Sequence, residues 1–141
     1  MSRAKKINEA LEIKDETSNM VVNNSCNNVL LMSLQAHIWH LTTKSYSVHM
    51  ILDDFYNAMK EKADNLIETF IGSGGEFKIN TPFELHPCEG KDNLIARIEI
   101  FGSQIDGAIE VLKMQDQSML IALEEIKSEV RSTLYKLRNL N

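Results

Sequence analysis

The chain has 141 residues, 43% hydrophobic and 25% charged, with a formal net charge of −5. That is the size and composition of one globular domain. The acidic balance argues against a protein that wraps nucleic acid with its whole surface, and no apolar run approaches the roughly 20 residues of a membrane span.

The N-terminus lacks a signal-like apolar stretch, so a cytoplasmic protein with no membrane partner is expected. Cys26 and Cys88 stand far apart and form no C-x-x-C pair. Free thiols in a reducing compartment are the expectation. With two prolines and six glycines, the chain offers few helix breaks.

Up to about residue 20 the charges are mixed, and a mobile arm or short helix is expected. Arg3, Lys5 and Lys6 precede the first acid, Glu9. From about Asn24 to Lys44 the chain is rich in Leu, Met and Ala without Gly or Pro, which predicts a helix. Thr42 to Ser47 reads as a short turn with Ser47 as a cap. A second helix is predicted from about Val48 to Ile71, stopped by Gly72-Ser73-Gly74-Gly75. Residues 76–91 hold both prolines and no helical period, and read as a crossover loop. A third helix spans about Asp92 to Met114, with Leu94, Ile98, Phe101, Ile105, Ala108 and Leu112 on one stripe. Asp116-Gln117-Ser118 reads as a cap. A fourth helix follows from about Met119 to Arg138, with Leu123, Ile126, Val130, Leu134 and Leu137 on one face.

Two short connections and one long one suggest an all-α fold, a ferritin-like antiparallel four-helix bundle with one long crossover. Other antiparallel bundles stay open on pattern alone.

The second helix carries the informative stripe. At about 100° per residue, His49, Asp53, Asp64 and Glu68 fall within an arc of roughly 100°, well away from the apolar stripe. They point sideways, toward solvent or a second chain. His49 and Asp53 are one turn apart, as are Asp64 and Glu68. The two pairs are separated by roughly 16 Å of helix, while metal–ligand bonds are about 2.0–2.2 Å. One ion cannot join both pairs within one chain. It can do so if a second copy lies antiparallel across a two-fold axis, which makes two equal sites per dimer. His37 can join from the preceding helix. Two imidazoles and three carboxylates suit Fe(II), and also Zn, Co or Mn. The same residues taken singly read more readily as a solvated polar face.

The stretch from His37 to Gly75 resembles the DNA-protection-during-starvation (Dps) family of mini-ferritins. The steps of 12, 4, 11 and 4 residues give His37, His49, Asp53, Asp64 and Glu68. The resemblance implies that these five are both metal ligands and catalytic residues, in a di-iron or mono-iron ferroxidase centre shared between subunits. It implies a cytoplasmic iron-storage and detoxification protein that oxidises Fe(II) with hydrogen peroxide or O₂. It also implies a homo-oligomer, at least a dimer and up to a dodecameric cage. Short relatives of this kind are also encoded by bacteriophages. No Glu-x-x-His motif occurs, so a classical ferritin site within one chain is excluded.

Other residues read more weakly. His40 suits a structural role near the site, and Trp39 and Tyr46 suit packing. His86 and Cys88 in the crossover are two scattered potential ligands. Two rival functions remain. The basic start, with Arg3, Lys5 and Lys6, could reach DNA phosphates if displayed in many copies, although the net charge points to weak binding or none. Alternatively, the polar stripe serves only the assembly of a catalytically silent helical protein.

Overall fold

A computed structural model describes residues 2–115 and 117–140, without the side chains of residues 5–15. The described residues form four helices and no strand: α1 (Arg3–Thr42), α2 (Tyr46–Gly72), α3 (Lys91–Leu112) and α4 (Gln117–Arg138). The protein is all-α, as its periodicity predicts.

Each helix packs on two others. α1 lies against α2 and α3, and α4 lies against α2 and α3. The core runs along the centre of this square. Trp39, Leu52, Phe55, Met59, Leu94, Ile105, Leu123 and Ile126 are fully buried there. Each such side chain contributes about 1.5–3 kcal/mol relative to leaving it in water.

The ends of the helices fix their directions. Thr42, Ser45 and Val48 line one hollow together with Cys88, Lys91 and Leu140. Lys91 Nζ donates to the Leu140 carbonyl at 3.2 Å. α2 and α3 therefore start at the end where α1 and α4 finish, so every packed pair is antiparallel.

Residues 73–90 make the long return from the end of α2 to the start of α3, and α1 guides them. Asn23 and Asn27 donate to the Lys78 carbonyl at 3.2 and 2.9 Å. The Asn80 backbone N–H donates to Asn27 at 2.8 Å. Farther along α1, Gln35 takes both backbone groups of His86, donating at 2.9 Å and accepting at 2.6 Å. Trp39 Nε1 donates to the same carbonyl at 3.0 Å. Buried polar residues on α1 thus serve as the rail on which an irregular segment is laid. These bonds give partners to the backbone of a largely exposed segment that has no regular structure of its own.

Several boundaries differ from expectation. α1 begins at Arg3, so the expected arm or short helix is the first half of a single 40-residue helix. Its buried residues begin at Val22, and Ser18 meets Gln115 at the α3–α4 turn. The cap of α2 is Ser45 rather than Ser47; its hydroxyl accepts from the Val48 N–H at 3.3 Å. The expected cap residue Asp116 lies outside the described residues, and Gln117 and Ser118 are the first residues of α4.

The glycine stop of α2 is built as expected. Gly74 N–H donates to the Ile71 carbonyl at 3.0 Å and Gly75 N–H to the Phe70 carbonyl at 2.9 Å. This pair of bonds is a Schellman cap, with Gly74 at φ 93° supplying the left-handed residue it requires.

Candidate metal site on the outer face of α2

The buried side of α2 is the stripe Val48, Leu52, Phe55, Met59, Ala63, Leu66 and Phe70. The chemistry-bearing residues lie away from it. His49 and Asp53 are half-buried, while Asp64 and Glu68 are exposed. One helix therefore divides into a core face and a His/carboxylate face, as the spacing predicts.

The upper half-site is a cluster of rings where α1 ends and α2 begins. His40 and His49 stack with ring centroids 3.8 Å apart and planes 20° from parallel. His40 Nδ1 is 2.8 Å from the His49 carbonyl, and His49 Nδ1 is 2.8 Å from the His40 carbonyl. A carbonyl oxygen can only accept, so each Nδ1 carries a proton. In the neutral rings both Nε2 atoms are then left with free lone pairs. Metal-binding histidines are commonly oriented in this way, by a bond from the other ring nitrogen to a backbone carbonyl. The Asp53 carboxylate stands 3.9 Å from His40 Nε2. Asn57 donates to the Asp53 carbonyl at 2.9 Å and lies 3.4 Å from its carboxylate, which steadies that turn.

His37 lies slightly apart. It stacks on Tyr56 at 4.2 Å, and its ring centre is 6.2 Å from that of His40. His40 also neighbours Tyr56, at 5.1 Å. The ring at the middle of the cluster is thus His40, which spacing assigned only a supporting place. Its partner His49 is nine positions on, across a turn, and no helical period connects them. Trp39 is buried and bonded to the crossover, as packing predicts, whereas Tyr46 is 76% exposed and stacks on His49 at 6.3 Å.

Asp64 and Glu68 occupy the far half of the same face, roughly 16 Å along the axis from Asp53. Among the described residues, no group of three or more His, Cys, Asp or Glu side chains stands close enough to hold a metal ion. One chain presents two separated groups of His and carboxylate side chains on this face. His86 spends its backbone groups on Gln35 and Trp39, and Cys88 is a free, half-buried thiol at the other side of α1. Neither is drawn toward the cluster by any contact among the described residues.

The outer face is not purely polar. By helical angle, Leu34 and Leu41 share the outward side of α1 with His37, and Tyr46, Met50 and Ile71 share that of α2 with Asp53, Asp64 and Glu68. All five apolar residues are exposed, Leu41 by 65% and Met50 by 47%.

A family model described as a family of unknown function (DUF5856) matches residues 40–137. No curated protein and no solved structure matches the chain. The match corrects the assignment to the mini-ferritin family, which rested on four spacings among five residues. Four of those five residues lie on one helix, where two i, i+4 pairs on a single face reproduce the pattern without shared ancestry. The matched segment contains His40, His49, Asp53, Asp64 and Glu68 and begins after His37.

Proposed function

We propose that this chain, which belongs to the DUF5856 family of unknown function, pairs with a second copy to bind Fe(II) and oxidise it at a site shared between the two. The observation that carries this reading is the outer face of α2. It presents His49 and Asp53 at one end and Asp64 and Glu68 at the other, each half incomplete, beside exposed apolar residues that suit a protein contact. An antiparallel two-fold pairing of α2 brings opposite halves together.

In such a pair His49 and Asp53 of one chain and Asp64 and Glu68 of the other enclose the substrate ion, with His37 alongside. Neutral imidazoles and carboxylates together favour a first-row divalent ion, so Zn, Co or Mn compete for the same place. Carboxylates stabilise the more highly charged ferric product. Each Fe(II) gives up one electron. Two of them, with two protons, reduce one hydrogen peroxide to two waters or one dioxygen to hydrogen peroxide, the oxidant coming from solvent. Affinity falls in acid, where the imidazoles take up protons. Two free thiols suit a reducing compartment, and a cytoplasmic setting is part of the proposal. No described helix is long and apolar enough to cross a membrane. The composite site requires a dimer.

A second reading has one observation in its favour. The reciprocal His40–His49 bonds already satisfy one nitrogen of each ring, as a purely structural clasp between α1 and α2 would. On that reading the protein is a silent helical assembly. DNA binding has less support: the net charge is −5, Arg3 is exposed, and the side chains of Lys5 and Lys6 lie outside the described residues.

Anaerobic titration with Co(II), followed by Fe(II) oxidation on admitting air, separates these readings. The proposal expects one ion or one pair of ions per composite site and an oxidation rate well above the buffer rate. Absence of metal binding by a proven dimer would leave the silent assembly.

A further inference from the structure

A second candidate site lies on the other flank of α1, independent of the metal reading. Between α1, the crossover and α3 there is a cavity of about 160 Å³, open on one side. Leu31, Met32, Trp39 and Phe101 give it an apolar lining, and Ile100 stands at its exposed edge.

The polar lining is unbalanced. Gln35 and Trp39 bond to the His86 backbone, and Asn28 and Gln104 add neutral amides to the lining. Arg97 is different: its Nε is buried with no hydrogen-bond partner, and its guanidinium makes no ion pair among the described residues. Glu84 also lines the cavity but is exposed and not paired with Arg97. Asn93, one turn earlier on α3, has a buried unpartnered Oδ1 but does not line the cavity.

We infer that this cavity binds a small monocarboxylate with a compact apolar body. Arg97 brings a positive charge with no ion-pair partner among the described residues to the cavity wall. A carboxylate only accepts hydrogen bonds and matches the guanidinium fork in a bidentate pair. The apolar walls take the body of the ligand. An apolar cavity of about 150 Å³ accommodates benzene, so a ring or branched chain of about six carbons fits. The Glu84 carboxylate at the same site favours a singly charged ligand over a doubly charged one.

The chain's one tryptophan, Trp39, provides the readout. Its indole N–H gives a single NMR signal, to be followed while the full-length protein is titrated with benzoate and, separately, with benzyl alcohol. Benzoate is expected to shift the signal saturably, and benzyl alcohol at equal concentration is not. Arg97→Met should weaken benzoate binding roughly ten- to a hundredfold, the effect of losing hydrogen bonds to a charged group, and Arg97→Lys should fall between. Asn93→Ala should retain affinity. Ile100→Phe alters an exposed position, tests the cavity with Arg97 intact, and should lower affinity by crowding its mouth. If Arg97→Met does not fold, Arg97→Lys and Ile100→Phe decide the matter. No shift at tens of millimolar benzoate, an equal response to benzyl alcohol, or undiminished binding by the folded Arg97 and Ile100 variants would overturn the inference.

Discussion

His40 and His49 hold each other's backbone: each imidazole donates from Nδ1 to the other's carbonyl at 2.8 Å while the rings stack 3.8 Å apart. The last turn of α1 and the first turn of α2 are thereby joined beside the three-residue connection. His40→Ala removes one ring, one hydrogen bond and half of the stack. It should destabilise the fold by about 1–3 kcal/mol, read as a lower urea midpoint. An unchanged midpoint would mean that the clasp contributes nothing.

The outer α1–α2 face should be an interface. Light scattering at micromolar concentration is expected to give at least a dimer. Met50→Glu places a charge among the exposed apolar residues without touching the core, because Met50 is 47% exposed. It should yield a monomer with unchanged helical content by circular dichroism. A wild-type monomer would remove the basis of the shared site.

Two glycine substitutions should have opposite effects. A Cβ at Gly75 would lie 2.2 Å from the ring of Phe70, which is buried in the core. Gly75→Ala should therefore cost about 1–3 kcal/mol by overpacking. Gly107 lies inside α3 with nothing within 4 Å of an added Cβ. Gly107→Ala should stabilise by roughly 0.5–1 kcal/mol. Thermal denaturation of the two variants checks both signs.

Cys26 should be silent in the native state. Its side chain is buried between the helices, and burial pushes its thiol pKa up to about 12 from 9.0. The folded state keeps this proton after the unfolded state has lost it. The associated stability is present below pH 9 and is lost as pH rises from 9 toward about 12. A thiol reagent at neutral pH should modify Cys88 quickly and Cys26 only after unfolding. Rapid labelling of two thiols in the folded protein would contradict this packing.

The sequence was most legible where one physical signal dominated. Leu94 to Leu112 repeat at three and four residues, and α3 buries those positions. Gly72 to Gly75 announced a stop, and a Schellman cap stands there. Asp53, Asp64 and Glu68 read as an outward stripe and lie on the outward side. Legibility failed where polarity did two jobs. Ser25, Asn27, Ser33 and Gln35 look like surface residues, yet they are buried, and Asn27 and Gln35 hold the crossover. The first half of α1 was hidden by the mixed charges of the residues before about 20. The central place of His40 depends on a contact across a turn, which no period within one helix can reveal. Family membership failed as an inference for a related reason: a stripe records helix geometry more directly than descent.

The shared site is tested most directly by mixing two single variants. In the proposed two-fold pair Asp53→Ala damages one half of the centre and Glu68→Ala the other, so that both positions belong to the same composite centre. Either variant alone should therefore oxidise Fe(II) much more slowly than the wild-type protein. In a mixed dimer one centre carries both defects and the other carries none. Refolding the two variants together and measuring Fe(II) oxidation by the isolated heterodimer should recover about half of the wild-type activity, as the symmetry of one intact centre in two requires. No recovery in isolated heterodimers, or full activity in either single variant, would contradict a site built from two chains.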